Sequence, residues 1–323
     1  MHTTENPLKS PSAWRAPAAV LALGLCSVLL APDQLGLITR ICTTALLVLS
    51  LDLVVGVAGL ATLGHAALFG AGAYAAGIAA MNGLADPLAG LLVGLLAGGA
   101  LALLSGTFLL RYNGFTLLML TVAVAQIVYS LAQRARDWTG GDDGLSGFVV
   151  GPVLGQFSFD LEGRTAALYA LTVLVFAFYV CRRVLFSPFG LSLQGIHQSR
   201  ARMAALGTPV FRRLLALYTG AGALAGVAGA LSAQTNAVVG LDSLAFALSA
   251  ETLVMLVLGG TGRLVGAIVG SVVFGLLHHT AASINPYHWL FVVGAALMAV
   301  VLLPPERAWT WLRSRLKFTG VTR

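Results

Sequence analysis

Three ionisable side chains stand within long apolar runs and are the residues best placed to do chemistry: Asp52, His65 and Glu251. A charged group at membrane depth is costly, so it is kept where it lines a cavity, caps a helix or carries a proton. Glu251 lies between Ala247, Leu248, Leu253 and Val254. It reads either as a cavity-facing carboxylate beside a path or as an interfacial residue at an outer helix end. Asp52, near an inner end, carries the same two readings, and either carboxylate would serve an ion-coupled transporter as its proton carrier. His65, with Thr62, reads as polar lining of a path or as a packed imidazole bonded to a backbone carbonyl. His278, His279 and His288 have no cysteine or carboxylate at ligand spacing, so no metal site is expected.

The residues that are missing narrow the chemistry further. The only lysines are Lys9 and Lys317, so neither a G-x-x-x-x-G-K-S/T phosphate loop nor a Schiff-base lysine is available. C-x-x-C, H-E-x-x-H and G-x-S-x-G are absent as well. The chain is expected to be no enzyme and to hold no cofactor. Any uphill movement would draw on an ion gradient or on another chain.

The elements that must hold these residues are membrane helices. Of 323 residues, 58% are hydrophobic and 10% charged, where a soluble domain carries about 25% charged residues. Runs without Asp, Glu, Lys or Arg cover 16–32, 53–85, 87–110, 112–133, 165–181, 214–241 and 264–305. About 20 helical residues cross a bilayer core, so the last run holds two spans, broken at Asn285-Pro286. With helices near 36–56 and 246–259, the expectation is an all-α polytopic bundle of about ten spans over residues 16–305. Residues 1–15 and 306–323 form cytoplasmic tails, 133–164 an outer loop and 182–213 a cytoplasmic loop. The run 16–32 reads as a first span rather than a cleaved signal, for want of a small-x-small site. Placing the N-terminus inside puts 15 of the 19 basic residues inside and eight of the twelve acids outside, as retention of Lys and Arg requires. The net charge of +7 then reflects topology and lipid headgroups, with no partner nucleic acid. Cys26, Cys42 and Cys181 all lie in apolar segments and read as packing residues.

Glycine marks where helices should break. Gly56, Gly59, Gly64, Gly70 and Gly72 fall within seventeen positions, each costing a helix about 1 kcal/mol relative to alanine. The spacing predicts a discontinuous helix beside a path, with Gly59, Thr62, Gly64, His65 and Gly70 in it. A second interrupted segment contains Glu251, Gly259 and Gly260, and six residues of the two segments match at an offset of 200. Paired interruptions of this kind point to a transporter's pathway. Gly94-x-x-x-Gly98, Gly222-x-x-x-Gly226 and Gly262-x-x-x-Gly266-x-x-x-Gly270 each give a face for close helix contact. In the loop 182–213, Leu193, Ile196, Met203 and Leu206 recur at helical spacing before Gly207 and Pro209. That pattern predicts a short amphipathic helix that lies on lipid or fills a groove in a partner.

These motifs resemble those of the branched-chain amino acid ABC transporter permeases of the LivM type, a group that also includes urea and amide permeases. The likeness rests on Gly64-His65-Ala66 with Gly70 to Tyr74, Thr139-Gly140-Gly141-Asp142-Asp143-Gly144-Leu145, Gln194-Gly195-Ile196 through Ala205-Leu206-Gly207, Ala223 to Ala230, and Leu258 to Gly262. The resemblance implies import across a bacterial inner membrane with a second homologous permease, two cytoplasmic ATPases that bind the ATP, and a periplasmic binding protein. It implies that 194–207 is the ATPase-coupling helix, with Leu193, Gln194, Ile196, His197, Arg200, Met203, Leu206 and Gly207 at that contact. It also implies that Thr139, Asp142 and Asp143 belong to a mobile loop facing the binding protein. His197 and Arg200 stand where the family usually has arginine and glutamate, which alters charge pairing with the ATPase. The cargo stays open among branched-chain or other hydrophobic amino acids, urea and amides.

Overall fold

The computed structural model describes residues 34–153 and 163–284, with residues 24, 294 and 298 besides. Within these, six helices are long and apolar enough to cross a membrane. They are α1 (Leu35–Asp52, prolonged by a π-helical turn over Leu53–Val57), α3 (Pro87–Leu109), α4 (Gly114–Arg134), α6 (Arg164–Leu185), α9 (Val210–Asn236) and α11 (Leu264–Ile284). Two shorter apolar helices, α2 (His65–Met81) and α10 (Phe246–Gly259), complete the interrupted segments. The remaining elements are α5 (Arg136–Thr139), β1 (Leu145–Ser146), α7 (Pro188–Gln198), α8 (Arg200–Ala205), β2 (Val238–Val239) and two 3-10 turns, Gly141–Asp143 and Leu241–Leu244. The expected spans at 16–32 and 286–305, and both tails, lie outside the described residues. The chain divides into two units after Val272, and the packing below is that of the first.

Local chemistry sets the helix ends. Asp86 caps α3 by accepting from the Leu88 amide at 3.1 Å, and Pro87 follows at the first helical position, where its missing N–H is no loss. Several hydroxyls inside the spans are satisfied by their own helices: Thr39, Thr43, Thr235, Thr252 and Ser271 each donate to the carbonyl four residues earlier. An apolar surround leaves such a group no better partner.

Helix α9 is the centre of the bundle, crossing α2 and α3. Glycine makes both crossings possible: a Cβ at Gly72 or Gly98 would meet the Gly226 backbone, and one at Gly226 would meet the Gly94 carbonyl. The two G-x-x-x-G motifs of α3 and α9 thus pack on each other. Gly266 and Gly270 of the third motif lie against the backbone of α10 at Gly259 and Met255.

At one end of the bundle the loops build a folded cap. β1 and β2 pair antiparallel, Leu145 opposite Val239, over a cluster that includes Tyr74, Phe148, Leu241 and Leu244. The carboxamide of Gln234 donates to the Pro87 carbonyl at 2.8 Å and accepts from the Tyr169 hydroxyl at 3.0 Å. The segments 52–59, 197 and 260–262 meet at the opposite end.

Candidate functional site

The first helix pair is broken where the glycines predict. After Asp52 the backbone widens into the π turn, and the Leu60 amide reaches back to the Val54 carbonyl at 3.0 Å. Residues 58–64 run irregularly until α2 begins at His65. Such a stretch needs polar partners within the protein, and four separate elements supply them. From α7, His197 Nδ1 donates to the Val57 carbonyl at 3.1 Å. From α4, Thr121 Oγ1 accepts from the Leu63 amide at 3.2 Å. From α10, Ser249 Oγ accepts from the Ala66 amide at 2.9 Å. From α1, Ser50 meets His65 Nε2 at 2.9 Å. The Ser50 hydroxyl already gives its proton to the Leu47 carbonyl at 2.6 Å, so His65 donates through Nε2.

The candidate path residues are packed rather than open. Thr62 is buried, its hydroxyl accepting from the Gly64 amide, and His65 is 1% exposed. Gly59 has φ +67°, and a Cβ there would stand 2.8 Å from His197 Cδ2. Gly64 lies against the Thr121 carbonyl, Gly70 against Leu244 and the Ser243 carbonyl, and Gly259 against the Gly266 carbonyl. Gly260 turns the chain at φ +89°. The two interrupted segments also touch each other. Asp52 Oδ1 accepts from the Gly262 amide at 2.7 Å, so this carboxylate is buried as a strut between them. Glu251 is half-buried on α10, two residues beyond Ser249, and feels the positive charge of Arg40 on α1.

The segment expected to meet an ATPase is not a single helix over 194–207. It is two helices, because Ser199 adopts an extended conformation (φ −163°, ψ 106°) and caps α8 by accepting from the Arg202 amide. Gly207, at φ +80°, closes α8 as expected. Leu193 and Ile196 are fully buried, so the apolar face of α7 is covered by the chain's own bundle. Gln194 and Leu206 are exposed, and Met203 packs its sulfur against Gly195 to hold the two helices together. Partial burial draws Arg200 below the usual arginine value. Arg213, near the start of α9, donates to Ser192 Oγ at 3.1 Å and lies over the Phe189 ring, fixing α7 at its other end.

The outer loop is folded over its described part, where mobility was expected. Thr139 is buried, its hydroxyl directed to the carbonyls of Ala132 and Ala135, and so is closed to a docking partner. Asp142 and Asp143 are exposed; Asp142 pairs with Arg136 at 3.5 Å and accepts from Gln133 at 2.9 Å. Gly140, Gly141 and Gly144 all have φ between 61° and 73°, which only glycine adopts freely.

Residues 34–301 match the family described as the branched-chain amino acid transport system, permease component. The chain belongs to that family. Its members are components of transporters, not enzymes. The permease is 29% identical over 297 residues to the high-affinity branched-chain amino acid transport system permease protein LivM of Salmonella typhimurium, a match covering 83% of this chain and 68% of that one. The LivM of Escherichia coli matches at the same identity and coverage. No solved structure matches the chain.

Sequence reasoning missed Ser50, Thr121 and Ser249, the side chains that hold the break. Each is a hydroxyl with apolar residues on either side, a pattern shared by hydroxyls that only bond back to their own helix. Nothing in the spacing distinguishes the two kinds.

Proposed function

We propose that this permease is one of a pair of transmembrane subunits of an ABC importer in a bacterial inner membrane. It carries branched-chain or other hydrophobic amino acids, with both termini and the loop 182–213 on the cytoplasmic side. Two ATPases dock on the exposed surface of α7 and α8, around Gln194, Leu206 and the arginines Arg200 and Arg202. A binding protein docks on the opposite cap, at Asp142 and Asp143.

The observation that carries this reading is the bond from His197 to the Val57 carbonyl. An α-helix interior offers no free carbonyl to a neighbour, whereas the π turn and the break do. A partner that moves α7 therefore acts directly on the discontinuity, which in turn holds α4 through Thr121 and α10 through Ser249. Alternating access follows as these helices rearrange about the break. The deciding experiment reconstitutes the permease with its second permease subunit and candidate ATPases and measures uptake with ATP and no ion gradient. ATP-dependent uptake is expected. Uptake that runs on a proton gradient alone, and is abolished by Glu251→Gln, would overturn the reading in favour of ion coupling.

A further inference from the structure

Helix α6 separates its two sides cleanly. The side turned to the bundle is buried from Ala167 to Cys181. On the other side Leu168, Thr172, Phe176, Val180 and Arg183 are exposed, all within an arc of about 120° at about 100° per residue. The Thr172 hydroxyl donates to the Leu168 and Tyr169 carbonyls, so this outward stripe is apolar until its last turn. Hydrocarbon accepts such a stripe. At the last turn the chemistry changes. Arg183 donates to the Tyr179 hydroxyl at 3.4 Å, and Arg182 lies over the Phe186 ring, 5.3 Å from its centroid. Aromatic side chains thus hold two adjacent guanidinium groups where the stripe ends. Their charge is not neutralised within the segment, since from Gly163 to Leu241 there are seven arginines and no acidic residue. Among the described residues Arg183 forms no ion pair, and Asp52, the acid at this end, is buried and bonded to the Gly262 amide. The same turn carries α7. Phe186 and Ser187 alone separate the two helices, and Gly190 stands so close to the Leu185 carbonyl that a Cβ there would clash with it. α7 in turn supplies His197 to the break.

We propose that this face of α6 binds an anionic phospholipid of the cytoplasmic leaflet. Arg182 and Arg183 hold its phosphate, an acyl chain lies over Val180 and Phe176, and the filled site steadies the start of α7. A net negative headgroup is preferred to a zwitterionic one, because a lipid ammonium would sit among guanidinium groups with no acid to receive it. Phe176 lies about 10 Å along the axis from Arg183, within the depth of about 15 Å that one leaflet of the hydrocarbon core provides. The site is separate from the ATPase surface at Gln194, Leu206, Arg200 and Arg202. The choice of leaflet rests on the orientation proposed above.

The test measures the lipid affinity of the full-length permease by native mass spectrometry, titrating delipidated protein with phosphatidylglycerol or with phosphatidylcholine of the same acyl chains. Binding in detergent has no sidedness and needs no nucleotide, so neither a reversed orientation nor a failure of ATP coupling would change its outcome. One arginine at a membrane surface weights anionic lipid about fivefold. Arg182→Gln combined with Arg183→Gln is therefore expected to weaken phosphatidylglycerol binding about thirtyfold, with little change for phosphatidylcholine. Arg182→Lys with Arg183→Lys keeps the charge and is expected to retain most of the preference. Three results would overturn the proposal: wild-type protein that binds both lipids equally, a glutamine pair that binds phosphatidylglycerol as tightly as wild type, or a lysine pair that falls as far as the glutamine pair, which would assign the loss to packing. The link to α7 is read in proteoliposomes of the complete complex. Phosphatidylglycerol is expected to raise the solute moved per ATP at least twofold for wild type and not for the glutamine pair, and equal gains would overturn that link.

Discussion

The contact of His197 with the break can be weighed quantitatively. Its hydrogen bond to Val57 is 3.1 Å long and only partly buried, which puts its net worth near 1 kcal/mol, or about a fivefold change in an equilibrium. Gly59 reports on the same contact from the other side. An alanine there would hold a left-handed φ of +67°, at a cost of about 1 kcal/mol, and its Cβ, 2.8 Å from the imidazole, would push the ring off the carbonyl. If α7 acts through this contact, His197→Ala lowers the number of solute molecules moved per ATP hydrolysed by about fivefold, while hydrolysis itself continues. Gly59→Ala does the same, and the double variant is little worse than either single one, because both remove one interaction. The assay is parallel measurement of uptake and phosphate release in proteoliposomes holding the complete complex. Two results would refute the reasoning: His197→Ala with an unchanged transport ratio, or losses from the two substitutions that multiply in the double variant.

Three further outcomes follow from the packing. Thr121→Val removes the acceptor of the Leu63 amide and is expected to destabilise the detergent-solubilised protein by about 1–3 kcal/mol, read as a lower midpoint in thermal unfolding, whereas Thr121→Ser should restore it. Leu193→Asp or Ile196→Asp would bury a charge in the bundle and should reduce the amount of folded permease in the membrane. Leu206→Asp, at a side chain 73% exposed, should instead release the ATPases from an otherwise intact protein, read by co-purification. Asp52→Asn keeps an oxygen for the Gly262 amide and is expected to preserve uptake, whereas Asp52→Leu removes the strut and should lose it; loss with Asn as well would make Asp52 a proton carrier.

What could be read from the sequence follows a physical divide between local and distant causes. The charge-free runs, the interruption between Val57 and His65 and the individual G-x-x-x-G faces are all written within a few residues of where they act. The partners of the break are not. His197 lies 140 residues from the carbonyl it binds and Ser249 lies 183 from the amide it accepts, and no periodicity links such positions. The loop 182–213 shows the same divide. Helical spacing of Leu193 and Ile196 establishes that one face is covered, but not that the cover is this chain's own bundle. Thr139 likewise reads as a loop residue among acids and glycines, and only the fold reveals that its hydroxyl is turned inward.

The crossing at Gly226 constrains how the permease moves and how it changes over generations. One residue without a side chain is met by Gly72 of α2 and by Gly94 and Gly98 of α3, so three helices are clasped at one point with no side chain to slide or repack. These three helices are held as one unit, whereas α4, α7 and α10 meet the break through the hydrogen bonds of Thr121, His197 and Ser249. Substitution at position 226 would unclasp both crossings at once and require simultaneous change on two other helices to re-form them. The clasp at Gly226 is thus the part of the bundle least free to vary.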